Sequence, residues 1–241
     1  MKFENTWTGN WENAMRGLRH PMESYHKADT MWYEDTTENE YLCCNQALDI
    51  DSYNGKFLGI GPNDMDLAQR MIKAGTPNDK FLRQIFVCVD ITAPLYWWKE
   101  MDTYKVATVA NSTSTMHKLA STPITLECFE MDDFVNIPCH NWHTDEDRGL
   151  IDAWKDYIQT MENMRQLYLE TKDIRYWKEL IRVLPESWLQ TRTWSANYSI
   201  LRNIIHWRQN HKLSEWSQFI DWCKTLPYSH EFLFYENKFD K

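Results

Sequence analysis

The sequence predicts a mixed α/β fold formed by a single domain over residues 1–241. Three observations predict it. The run Ile85-Phe86-Val87-Cys88-Val89-Asp90-Ile91-Thr92 is β-branched and aromatic, as an interior strand is. The stretches from Leu150 to Leu169 and from Leu213 to Lys224 instead repeat apolar residues at helical spacing. A length of 241 residues suffices for one substantial core, or at most two small ones.

In chain order, Trp11 to Leu18 reads as a short helix that His20-Pro21 ends. Thr30 to Asn45 is polar and acidic and reads as loop, and Leu48 to Ile60 has strand-like patches broken by Gly55 and Gly59. Pro62-Asn63-Asp64 opens a helix with Asn63 or Asp64 as cap, and Gly75 stops it. The strand then spans Phe81 to Pro94, and Asp90 inside it needs a partner if it is buried. Leu95 to Met101 begins a helix. Leu150 to Leu169 carries an apolar face of Ile151, Trp154, Ile158, Met161, Met164, Leu167 and Tyr168. Asp173 to Leu184 is a further helix with Tyr176, Leu180 and Ile181 inward, and the aromatic tail from Pro227 packs on the core or on a neighbour.

Composition restricts function. The net charge of -9 argues against a broad nucleic-acid or anionic-membrane surface, while a local basic pocket for a mononucleotide stays open. The 13 Trp and 12 Tyr offer flat surfaces for packing or stacking, and only 7 Gly leave little room for glycine-rich phosphate loops. No window approaches the run of about 20 apolar residues that spans a bilayer. The polar, acidic start is not a signal peptide, and six cysteines without framework spacing suit a reduced, cytoplasmic setting. Cys139, His140 and His143 have the spacing of a partial metal site, but a zinc site needs three or four ligands and no matching partner cluster follows, so a loop is the favoured reading.

The stretch with most chemistry runs from Leu184 to His211. Thr191, Thr193 and Ser195 are N-cap types, so a helix is expected from about Trp194 to about Lys212, with Ile200, Ile204 and Trp207 buried. Asn197, Leu201, Ile204 and Arg208 line up, which puts Asn197 and Arg208 roughly 16 Å apart on one face. An amide and a guanidinium so placed suit an extended ligand with an anionic end. The same pattern also describes a solvated helix flank.

This stretch resembles the second signature of the flavin-dependent thymidylate synthases: Leu184-Pro185, a Thr-rich turn, then Asn197, Asn203 and Arg208. The family's next His follows the Arg by four positions; here Lys212 holds that place and His211 precedes it. Aligned on Ala93-Pro94, the family's Arg-His-Arg falls on Thr103, Tyr104 and Lys105, and its acid-and-serine loop falls on Asn111, Thr113, Ser114 and Thr115. Its upstream His-x-Thr-x-x-Glu falls near Asn78, Lys80 and Arg83, with none of the three types kept.

The resemblance implies a central, mostly antiparallel sheet flanked by helices, assembled as a homotetramer that binds FAD. It implies flavin contacts from Asn197, Asn203, Thr103, Tyr104 and Lys105. It implies nucleotide contacts from Arg208, Asn111, Thr113, Ser114 and Arg182, the last displaced by one position from the family's Arg. The reaction implied carries a methylene from methylenetetrahydrofolate to C5 of dUMP with NADPH as reductant, and no protein nucleophile is required. A different pyrimidine nucleotide, or a non-catalytic nucleotide-binding relative, remains an alternative.

Overall fold

The computed structural model describes residues 1–33, 57–141 and 146–235. The fold is mixed α/β, with an antiparallel sheet flanked by helices. Four strands, β1 (Lys2–Gly9), β4 (Phe86–Pro94), β8 (Leu189–Asn197) and β5 (Val109–Ser112), follow the order β1-β4-β8-β5. Two antiparallel pairs accompany them: β2 (Met31–Tyr33) with β3 (Phe57–Gly59), and β6 (Pro138–Asn141) with β7 (Glu146–Gly149). The helices are α1 (Trp11–Arg19), α2 (Pro62–Ala74), α3 (Leu95–Met101), α4 (Thr115–Lys118), α5 (Leu150–Thr171), α6 (Ile174–Arg182), α7 (Tyr198–Arg208) and α8 (Ser214–Lys224).

The chain forms two compact units. One comprises Met1–Ile91, Asp102–Asn111 and Thr193–Lys241; the other comprises Thr92–Met101 and Ser112–Arg192. In the first, aromatic side chains build the core. Trp11 meets Tyr198 edge-on at 5.0 Å, Phe3 stacks on Trp222 at 5.2 Å, and Trp216, Phe219 and Phe232 are fully buried. The Tyr198 hydroxyl donates to the Pro227 carbonyl at 2.6 Å, which satisfies its buried polar end. The aromatic tail thus packs into this core, with Phe232 and Leu233 at 0% exposure.

Helix α2 starts where Pro62 sits in the first turn, as expected, but its cap comes from elsewhere. The Asp29 carboxylate accepts from the amides of Asn63 at 2.8 Å and Asp64 at 2.9 Å. Gly61 permits this approach, since a Cβ there would lie 2.3 Å from Asp29 Cγ. Gly75, at φ +70, ends the helix as predicted.

In the second unit Leu119, Ile124 and Phe129 form one cluster with Ile158 and Met161 of α5 and Leu180 of α6. Of the predicted α5 face, Ile158 and Met161 are buried whereas Leu167 is 39% exposed. Asp173 caps α6 by accepting from the Arg175 amide at 2.9 Å.

Several expectations change. Phe81 to Gln84 is a tight 3-10 turn rather than strand, and β4 begins at Phe86. Met31–Tyr33 is strand rather than loop. The rest of the Thr30 to Asn45 and Leu48 to Ile60 readings, up to residue 56, lies outside the described residues. Trp194 to Asn197 belongs to β8, so α7 begins four residues later than expected and Thr191, Thr193 and Ser195 are strand residues. They alternate with Gln190, Trp194 and Ala196, which are buried. Asp90 finds its partners in Thr193 Oγ1 at 2.5 Å and Asn5 Nδ2 at 2.7 Å, which hold its carboxyl below the usual range.

Candidate functional site

Within the first unit, a cavity of about 750 Å³ opens beside the N-terminal half of α7. Three separate segments line it. Ile72, Lys73, Gly75, Thr76, Asp79 and Arg83 come from the end of α2 and the turn after it; Val106 and Ala107 come from a loop. Asn197, Ser199, Ile200, Arg202, Asn203 and His206 come from α7 and its cap.

Each segment is fixed from behind. The Asn197 side chain accepts from the Ile200 amide at 3.1 Å, so the residue closes the first turn of α7 and is itself 6% exposed. Leu201, Ile204 and Ile205 bury the opposite face of α7. Arg202 donates through Nη1 to the carbonyls of Phe232 at 2.9 Å and Leu233 at 3.0 Å, which orients its guanidinium. Arg83 follows the buried pair Phe81 and Leu82. Ala107 lies at φ 58, a conformation that an L-residue adopts at a cost of about 1–2 kcal/mol. The loop before it is closed by Thr108 Oγ1 donating to the Tyr104 carbonyl at 2.5 Å.

Arg208 occupies a different environment. Its Nε donates to the Tyr104 hydroxyl at 3.0 Å, and its guanidinium lies 4.6 Å from the Trp216 ring centre and 5.5 Å from that of Tyr104. Five residues of α-helix separate it from Asn203, a rotation of roughly 140°. Asn203 and Arg208 therefore face different sides of α7. Trp207, expected in the core, is 66% exposed, and Ile205 is buried in its place.

The structure thus brings Asn197 and Asn203 to one cavity and Tyr104 to Arg208. Thr103 and Lys105 are exposed beside Tyr104, and Asn111 is exposed on β5. Thr113, Ser114 and Arg182 lie in the second unit. There the Thr113 amide donates to the Thr191 carbonyl at 2.9 Å, the Thr113 carbonyl accepts from Gln190 Nε2 at 2.8 Å, and the Ser114 carbonyl accepts from the Lys118 amide at 3.0 Å. Arg182 pairs with Glu179 on its own helix and is exposed. Cys139 and His140 are consecutive on β6 and point to opposite faces, a poor arrangement for joint ligation; His143 lies outside the described residues.

Sequence reasoning missed Lys73, Arg202 and His206. The signal was present for two of them: positions 199, 202, 203 and 206 repeat at helical spacing opposite the apolar stripe. Among the described cysteines, Cys223 is buried and burial pushes its thiol well up; burial and then the Asp90 charge push the Cys88 thiol up. Neither is poised as a nucleophile.

No protein-family model and no curated protein sequence matches the chain. Among solved structures, it is similar to the flavin-dependent thymidylate synthase ThyX from Helicobacter pylori complexed with FAD and dUMP. That similarity has a TM-score of 0.60 at 16% identity and covers 98% of this chain and 99% of the other. A second ThyX structure from Helicobacter pylori, with FAD and dUMP, gives a TM-score of 0.59 at 16% identity over 99% and 98% of the two chains. The likeness is one of fold.

Proposed function

We propose that the chain is an FAD-dependent enzyme that transfers a one-carbon unit to C5 of dUMP. Methylenetetrahydrofolate is the donor, NADPH the reductant and dTMP the product. The observation that carries this reading is the cavity beside α7. Two side chains that the resemblance assigns to flavin, Asn197 and Asn203, line it together with three basic residues. The full-length likeness in fold to enzymes complexed with FAD and dUMP supports it.

The residues fit the cofactor in size and sign. A cavity of about 750 Å³ is within the range of sites for cofactor-sized ligands, roughly 300–1,000 Å³. Bound FAD would supply the electrons that turn the transferred carbon into a methyl group. The Asn203 amide can both donate to and accept from the edge of a heteroaromatic ring. Asn197 holds the turn from which Asn203 projects. Arg208, kept in place by Tyr104 and Trp216, would take the nucleotide phosphate. The flavin roles of Thr103, Tyr104 and Lys105, and the substrate roles of Asn111, Thr113, Ser114 and Arg182, belong to the same proposal. So do action as one domain, a homotetrameric assembly and a cytoplasmic location; among the described residues no helix is long and apolar enough to cross a membrane.

The test is spectroscopic and then kinetic. Purified protein should be yellow, or become so with added FAD, and should release tritium from C5-labelled dUMP only with methylenetetrahydrofolate and NADPH present. Protein that stays colourless after reconstitution ends the proposal. One observation favours a different pyrimidine nucleotide. At the family's Arg-His-Arg positions the chain has Thr103 and Lys105, both exposed, and Tyr104, whose hydroxyl is engaged by Arg208. Titration of dUMP, dCMP and their ribo forms decides, and a clear preference for dUMP removes that second reading.

A further inference from the structure

Gln190 is buried in β8, at 7% exposure, yet its side chain reaches a corner at the surface. The corner is Thr113-Ser114, where β5 ends and α4 begins. Both belong to the second unit, as do Trp98 and Arg192. Gln190 Oε1 accepts from Arg192 Nε at 3.0 Å, and Gln190 Nε2 donates to the Thr113 carbonyl at 2.8 Å. These partners fix which way the amide lies, because a guanidinium only donates and a carbonyl only accepts. The Arg192 guanidinium in turn lies 4.3 Å from the Trp98 ring centre. Trp98 is fully buried and donates through Nε1 to the Gln190 backbone carbonyl at 2.9 Å.

Few side chains can take this place. It must accept at one end and donate at the other. Glu lacks the donor, Met and Leu lack both groups, and Asn is one methylene shorter. Burying an amide is costly unless both ends are paired, and here both are. The order so gained is passed outward. Thr113 is exposed, and its amide and hydroxyl both donate to the Thr191 carbonyl, at 2.9 and 3.3 Å. Those two bonds converge on one acceptor. The bond from Gln190 supplies a second point of attachment, which fixes the direction the corner takes.

We infer that Gln190 is the positioning residue of the Thr113-Ser114 corner. With that corner meeting dUMP, as the proposed function has it, Gln190 sets the nucleotide's affinity without touching it. The nucleotide effect rests on that function, whereas the fixing of the corner does not.

Gln190→Glu in the full chain tests it. The change is nearly isosteric, keeps an acceptor for Arg192, and sets a carboxylate oxygen against the Thr113 carbonyl. Amide hydrogen exchange over residues 113–118 should speed up about tenfold, the equivalent of one hydrogen bond. The dUMP affinity, measured by calorimetry, should fall about tenfold, with FAD affinity unchanged. Ile158→Val removes one methylene from the core of the same unit and should alter neither the exchange nor the dUMP affinity. If Gln190→Glu does not fold, Gln190→Met deletes donor and acceptor while filling the space, and should give the same two changes.

Unaltered exchange over residues 113–118 overturns the inference. So does a parallel loss of FAD and dUMP affinity that Ile158→Val reproduces, which would make Gln190 a core residue alone. If the wild-type chain binds dUMP and the variant binds it as tightly, the inference falls and the proposed function stands. If the wild-type chain binds no dUMP while the variant still loosens the corner, the proposed function falls and the positioning role stands.

Discussion

Each compact unit buries an arginine against a carboxylate, and the two pairs are built in opposite ways. In the first unit, Arg19 and Asp64 meet at 2.7 Å with side-chain exposures of 5% and 1%. They are 45 residues apart and join α1 to α2. Asp64 also accepts from the amides of Asp29 and Thr30 and from Thr30 Oγ1. In the second unit, Arg165 and Glu162 meet at 2.6 Å one turn apart on α5. Glu162 accepts from the Ile124 amide at 2.9 Å and Arg165 donates to the Ala120 carbonyl at 3.2 Å. The first pair closes a long loop, and the second stiffens a helix and ties one segment to it. In the cavity-bearing unit the long-range pair ties down the start of α2, the helix whose far end carries Lys73.

The largest expected effect breaks the first pair. Asp64→Ala strands a buried guanidinium and three donors, and should cost about 3–5 kcal/mol. Denaturant unfolding measures it. A loss under about 1 kcal/mol would show that water replaces the carboxylate and that the closure is dispensable.

Glu162 should give a smaller loss and a clear pH signature. The Arg165 bond holds its carboxyl down at about 2, against an ordinary 4.5. A depressed carboxylate stabilises the fold above its unfolded pKa and loses that contribution as pH falls through the folded value. Wild-type stability should therefore decline between about pH 4.5 and about 2, and Glu162→Gln should remove about 1–3 kcal/mol at neutral pH and flatten that decline. Asp64 acts in the same direction. Burial pushes it up, but Thr30, Arg19 and the Asp29 and Thr30 amides outweigh burial and keep it below its ordinary 3.8. An unaltered acid profile in Glu162→Gln would transfer the acid sensitivity to Asp64.

These two pairs also mark how much was legible in the sequence. The local pair, and the caps at Gly75 and Asp173, depend on residues within one turn of each other, so periodicity and cap chemistry place α2, α5, α6 and α8 closely. The Arg19–Asp64 pair and the Asp29 cap join residues that only tertiary structure brings together. The cavity is similar, since it draws on positions 72–83, 106–107 and 197–206. The β8 error has a physical origin. Thr and Ser before an apolar stripe satisfy a helix cap, yet the same residues alternate with Gln190, Trp194 and Ala196 as a half-buried strand does. The period of two prevails in the structure, where these residues form β8. The resemblance assigns Asn197 to the flavin, whereas its role as the cap of α7 follows only from where the strand ends.

Tyr104→Phe probes a third arginine, Arg208, which packs against two aromatic rings. Removing the hydroxyl breaks its 3.0 Å bond to Arg208 Nε while the contact with Trp216 persists. The expected stability loss is about 1 kcal/mol. If Arg208 meets a nucleotide phosphate, KM for the nucleotide should rise more than kcat falls, because a loosened guanidinium weakens binding in ground and transition state alike. An unchanged KM with reduced stability would make Tyr104 a structural residue alone.

The smallest effect is expected at Arg175, and it tests whether burial rather than pairing separates the cases. Arg175 contacts both oxygens of Asp173 at 2.9 and 3.1 Å through Nε, with a third contact at 2.5 Å from Nη2. Its geometry is thus as favourable as that of either buried pair. Its side chain is 85% exposed, however, so water can replace Asp173 when the pair is broken. Asp173 holds its ionised form chiefly through that pair, yet its carboxylate also accepts from the Arg175 backbone amide, a bond that survives substitution. Arg175→Ala should leave the thermal midpoint within experimental scatter in low salt and in high salt. A salt-dependent drop would mean that bidentate geometry alone stabilises the start of α6, and burial would no longer explain the difference between Asp64, Glu162 and Asp173.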